Sequence, residues 1–211
     1  MPPALIAAGI GAGAVALLLL LALLVDRAAA FDRAVMLALR TPGDLATPVG
    51  PKWLLPFMRD VTALGGGRLL TLVVVAAAGL LVARRMYATA LLVVLASWTG
   101  GRATALLKLY VGRPRPDIVP HLVDVTELSF PSGHATASAV VFLTLAALGV
   151  RGVRERRVRT YLLACAVLLV GMIGASRVYL GVHWPSDVLA GWCFGTLWAM
   201  AWWTLGARGR G

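Results

Sequence analysis

Six stretches of this chain are apolar over the length of a membrane crossing, and none alternates with period two. They fall at roughly 4 to 25, 67 to 83, 87 to 107, 133 to 150, 160 to 176 and 185 to 205. The first runs without interruption from Ala4 to Val25, enough to cross about 30 Å of hydrocarbon as a helix. A segment in lipid must satisfy its own backbone N–H and C=O groups, which only helices and closed barrels do. Without strand-like alternation, the pattern predicts an all-α polytopic membrane protein: a six-transmembrane-helix bundle forming one membrane-embedded domain over residues 1–211. The first run has no basic residues ahead of it and is longer than a signal-peptide core, so it reads as a retained helix.

Between the spans the pattern changes. Residues 26–68 are more polar and carry Pro42, Pro48, Pro51 and Pro56, which predicts a loop with one short surface helix near 45 to 64. Gly65-Gly66-Gly67 then marks the start of the second span. A second proline-rich loop covers 110 to 130. Trp198, Trp202 and Trp203 at the end of the last span suit an interfacial aromatic belt. The glycines at 9 to 13 and at 191 and 195 suit close helix packing.

Composition and charge refine this picture. Only 14% of residues are charged, against about 25% in an ordinary soluble domain. The formal net charge is +11, which in a soluble protein would raise nucleic acid as a partner. Here the densest basic run, Arg151 to Arg159, sits between two apolar segments, where positive charge holds a short loop in the cytoplasm. No aromatic residue interleaves those arginines, so a nucleic-acid partner is set aside. With the N-terminus inside, the inner loops and C-terminus carry nine basic residues against the single acid Glu155. Both termini are therefore expected in the cytoplasm of a plasma-membrane protein. Cys165 and Cys193 fall within spans, which argues against disulfide or metal roles.

Three motifs lie at span ends that this topology places on one outer face. They are Lys108-Leu-Tyr-Val-Gly-Arg-Pro-Arg115-Pro116, Pro131-Ser132-Gly133-His134 and Ser176-Arg177-Val-Tyr-Leu-Gly-Val-His183-Trp-Pro-Ser-Asp187. Taken singly, Lys108, Arg115 and Arg177 read as basic residues snorkelling at helix ends. Taken together they bring three cations to one surface, which suits a phosphoryl group gaining charge on its equatorial oxygens. Ser132 and Gly133 open a helix whose free N–H groups and dipole favour an anion. His183 stands four residues before Asp187, a carboxylate that can hold one ring nitrogen and leave the other as nucleophile. His134 suits a general acid that protonates a departing oxygen. Arg113 is a further candidate phosphate or headgroup contact, with loop solvation as the alternative. His121 has no motif partner and reads as a solvated loop histidine. No His, Cys, Asp and Glu cluster has metal-site spacing, so no metal or other cofactor is expected.

The order K-x6-R-P, P-S-G-H, S-R-x5-H-x3-D resembles the type 2 phosphatidic acid phosphatase superfamily, at every motif position between 108 and 187. The resemblance implies that His183 is the nucleophile, Asp187 its orienting partner and His134 the acid. It also implies that Lys108, Arg115, Ser132, Gly133 and Arg177 bind the phosphoryl group. The expected partners are the membrane and a lipid phosphate or diphosphate entering from the bilayer. A polyprenyl carrier such as undecaprenyl diphosphate is favoured, with phosphatidylglycerophosphate, phosphatidic acid or lipid A phosphates as alternatives. A phosphotransferase would use the same residues. A transporter or noncatalytic lipid binder is the competing class; the first lacks a visible internal repeat, and the second would not need both histidines.

Overall fold

The computed structural model of the protein describes Gly13 and residues 28–206. The predicted first span at 4 to 25 therefore lies outside the described residues, apart from Gly13. Helix α1 spans Ala29–Ala38 and buries Asp32 and Met36, four residues apart and so on one face. A small antiparallel hairpin follows, β1 (Arg40–Thr41) with β2 (Asp44–Pro48), turning at Gly43 with φ +83°. Asp44 fixes the turn by accepting from the Ala46 N–H and the Thr47 hydroxyl. Helix α2 (Leu54–Leu64) then meets α3 (Gly67–Ala83) at a bend of 48°.

The remaining helices are long. α4 spans Tyr87–Val111 and ends at Gly112, whose left-handed φ of 64° lets its N–H return to the Lys108 carbonyl. α5 spans Gly133–Gly152, with a π-helical turn at Ala139–Leu143. α6 spans Arg156–Tyr179, and α7 spans Pro185–Gly206 with proline at its first position. Among the described residues, four helices are long and apolar enough to cross a membrane, or five if the bent α2–α3 pair is one span.

Two sequence expectations need correction here. The 26–68 segment holds more than one short helix: α1 and the hairpin precede α2, which starts at Leu54 because residues 44–48 are committed to pairing with β1. The all-α description therefore gains a two-stranded element. Trp198, expected in an interfacial belt, instead packs against the buried Leu107 and Phe194 cluster and donates to the Ala96 carbonyl. Trp203 is the exposed member, stacked under Arg151.

Close approach of α5 and α7 sets the site. A Cβ on Gly191 would lie 2.9 Å from the Ser132 carbonyl oxygen, and one on Gly195 would lie 2.7 Å from that of Thr136. The small-residue stripe thus lets α7 rest directly on the α5 backbone. Outward faces carry exposed Leu72, Val75, Leu91, Leu106, Val167 and Leu168, as a lipid-facing surface requires.

Candidate active site

The three motifs meet in one cleft of about 300 Å³ at the end of the bundle. Lys108 reaches it from the last turn of α4, Arg115 from the loop after α4, and Gly133 and His134 from the first turn of α5. Arg177 comes from the last turn of α6, and His183 from the tight connection to α7. That connection turns at Gly181, whose φ of +77° and crowding against the Pro120 carbonyl leave little room for a side chain. Val182 and Leu180, both fully buried, anchor it on either side of the turn.

His183 is itself 1% exposed. Its Nδ1 lies 3.5 Å from Asp187 Oδ2 and 3.4 Å from Ser129 Oγ. Its Nε2 lies 3.2 Å from Arg115 Nη1. A guanidinium can only donate, so Nε2 is the accepting nitrogen, and the neutral ring carries its proton on Nδ1, toward the carboxylate. Burial pushes the His183 pKa down to about 4, against the upward pull of Asp187 and with help from the Arg115 and Arg177 charges. At neutral pH the ring is uncharged, with a lone pair facing the cations.

Asp187 is held on several sides. It accepts from the Ser129 hydroxyl, from the Trp184 N–H at 2.9 Å and from Arg113 Nη1 at 2.5 Å. Arg113 is thus neither a wall of the cleft nor a solvated loop residue, which corrects its candidacy as a phosphate contact. Its other nitrogen, Nη2, lies 2.9 Å from Asp32 Oδ2 on α1. Ser132 is also placed differently from a direct phosphate ligand. It is fully buried, its Oγ caps α5 by accepting from the Ala135 N–H, and its own N–H donates to the Asp187 carbonyl. Gly133 and His134 then supply the first-turn N–H groups that no helical carbonyl can satisfy.

The cations are held partly by backbone oxygens. Lys108 Nζ donates to the Leu128 carbonyl at 2.5 Å and lies 3.5 Å from Glu127. Arg115 donates to the Glu127 and Val182 carbonyls. Arg177 donates to Thr62 Oγ1 at 2.9 Å, while its buried Nε has no partner. A buried guanidinium N–H beside a cleft is a donor that an anionic oxygen can meet. His121 lies outside this group, exposed, with Nε2 2.7 Å from the Pro116 carbonyl oxygen. Among the described residues no group of three or more His, Cys, Asp or Glu side chains could hold a metal ion. Ser129, Thr62, Ser186 and Asp32 escaped the sequence reading, because hydroxyls and a remote carboxylate carry no spacing signal.

A tetrahedral anion fits this arrangement: three cations and a helix N-terminus around an uncharged imidazole, at one mouth of an apolar helix bundle. The chain belongs to the PAP2 superfamily, whose sequence pattern matches residues 87–210. Family members are lipid phosphatases that hydrolyse phosphate esters. The chain is 34% identical over 182 residues to phosphatidylglycerophosphatase B of Bacillus subtilis, covering 85% of this chain and 88% of that one. It is 38% identical over 104 residues to a lipid A 1-phosphatase of Rhizobium etli, covering 45% of this chain and 40% of that one. It is 34% identical over 71 residues to an undecaprenyl-diphosphatase of Sulfolobus acidocaldarius, covering 34% of this chain and 30% of that one. The fold superposes on the crystal structure of a transmembrane PAP2-type phosphatidylglycerolphosphate phosphatase from Bacillus subtilis with a TM-score of 0.82 and 28% identity, covering 95% of this chain and 97% of that one.

Proposed function

We propose that this protein removes phosphate from a membrane lipid at the outer face of the bilayer, through a phosphohistidine on His183 and without a metal. The observation that carries this reading is the orientation of His183: Nδ1 toward Asp187, Nε2 toward the cleft beside Arg115. The Nε2 lone pair attacks phosphorus as the bond to the lipid oxygen breaks, and the His134 imidazolium gives that oxygen its proton. Water then attacks the phosphohistidine and His134 takes its proton, releasing inorganic phosphate and the neutral His183 ring. Lys108, Arg115, Arg177 and the Gly133 and His134 N–H groups hold the nonbridging oxygens. Ser132 contributes by capping the helix that presents those N–H groups.

Phosphatidylglycerophosphate is the leading substrate, supported by a relative matched over 85% of the chain. A polyprenyl diphosphate, favoured from the sequence, is supported by a match over 34% of the chain and stands second. The test is phosphate release from phosphatidylglycerophosphate, undecaprenyl diphosphate and phosphatidic acid, in detergent with excess chelator. The reading expects turnover with chelator present, fastest on phosphatidylglycerophosphate. Activity that vanishes with chelator and returns with a divalent ion would overturn the metal-free mechanism.

A further inference from the structure

Asp32 has no part in the three motifs and lies outside the 87–210 segment that matches the family. Even so, its carboxylate is fully buried and wholly committed to the back of the site. Oδ1 accepts from the Ser186 N–H at 2.8 Å. Oδ2 accepts from the Ser186 hydroxyl at 2.5 Å and from Arg113 Nη2 at 2.9 Å. Arg113 Nη1 in turn contacts Ser186 Oγ at 2.8 Å and Asp187 Oδ1 at 2.5 Å. The guanidinium therefore forks between two buried carboxylates, one of which faces His183.

Two carboxylates buried close together would repel, and a single buried Arg–Asp pair would leave one fork of the guanidinium unanswered. The set of Asp32, Arg113 and Asp187 avoids both problems, with two negative charges shared by one cation. Asp187 keeps enough negative character to hold the Nδ1 proton of His183, because Arg113 is not neutralised by Asp187 alone. Ser186, adjacent to Asp187, is fixed by the same carboxylate through both its backbone and its side chain.

We infer that Asp32, acting through Arg113 and Ser186, is a positioning residue for the Asp187–His183 pair, so that α1 is part of the catalytic assembly. The inference rests on the proposed role of His183. In Asp32→Asn the shape is preserved and the charge is lost. Arg113 then leans wholly on Asp187 and weakens its hold on the imidazole. The cations that bind phosphate are untouched, so the loss should fall on kcat.

The experiment compares wild type, Asp32→Asn, Arg113→Lys, Arg113→Ala, Asp32→Asn/Arg113→Ala and His183→Ala, all purified and monodisperse in detergent. Asp32→Asn should lower kcat by about 10- to 100-fold, the scale on which partners that orient metal-bound histidines act, with KM changed by less than about twofold. Arg113→Lys, which keeps charge but lacks the fork, should show the same split and serves if Asp32→Asn fails to fold. Adding Asp32→Asn to Arg113→Ala should cost less than Asp32→Asn costs in the wild type, because the route through Arg113 is already gone and only the one through Ser186 is left to lose. Full kcat in Asp32→Asn or in Arg113→Lys, or losses that multiply in the double variant, would overturn the inference while leaving His183 in place. An active His183→Ala would instead remove the proposed mechanism itself.

Discussion

At the scale of single residues, the charge state of His183 decides whether its ring can act as a nucleophile. Its nucleophilic form is the neutral ring, and burial brings its pKa to about 4 from an ordinary 6.5. Between those values the folded protein keeps the ring neutral, whereas the unfolded chain binds a proton. His183 therefore subtracts stability as pH falls from 6.5 toward 4 and subtracts nothing above that window. A carbon-13 NMR titration of the histidine rings in detergent should place its midpoint below about 5. Arg115→Gln, which removes a neighbouring cation that lowers the value, should move the midpoint upward. A midpoint near 6.5 in the wild type would contradict the buried, cation-facing environment. Much of this site was legible in the sequence, since His183, Asp187, His134 and the three cations are chemically distinctive side chains at fixed spacings. The positions of Arg113 and Ser132 were not. Whether an arginine faces a phosphate or a carboxylate depends on Asp32, some eighty residues earlier, and no local pattern records that.

At the scale of elements, contacts between α5 and α7 hold the site in place. Gly195→Val would drive a side chain into the Thr136 carbonyl and the Ala139 methyl, both 2.7 Å from a Cβ. Overpacking of this kind costs about 1–3 kcal/mol, and it would displace the helix whose first turn presents Gly133 and His134. By contrast a Cβ on Gly171 of α6 meets nothing within 4 Å. Gly171→Ala should be neutral or stabilising by up to about 1 kcal/mol, from helix propensity alone. Thermal unfolding in detergent should therefore lower the Tm for Gly195→Val and leave it level or raised for Gly171→Ala; equal effects would contradict the packing. The long helices were readable because apolar runs and their Gly and Pro boundaries act locally. Helix α1 and the hairpin were not, because their burial comes from distant partners: Asp32 is satisfied by α7 and its neighbour Arg113, and Arg40 Nη1 donates to the Tyr179 carbonyl.

At the scale of the whole molecule, the helices carry their exposed apolar faces outward and gather the site at one end. The distribution of arginines sets the expected orientation, with the 151–159 loop in the cytoplasm and the cleft outside. A Cys165→Ser/Cys193→Ser background carrying either Glu127→Cys or Arg154→Cys tests it, since both positions are exposed. In intact cells a membrane-impermeant maleimide should label the cysteine at 127 and leave that at 154 unmodified until the membrane is broken. The reverse pattern would place the cleft in the cytoplasm. The most direct test of the chemistry is to quench the purified protein during turnover of a lipid substrate labelled in its phosphate, under conditions that preserve phosphohistidine, and to locate the label by peptide mapping. The account predicts an acid-labile phosphate on His183, absent from His183→Ala and retained longer in the wild type when water attack is slowed by cold. Label on another side chain, or full turnover by His183→Ala, would contradict it.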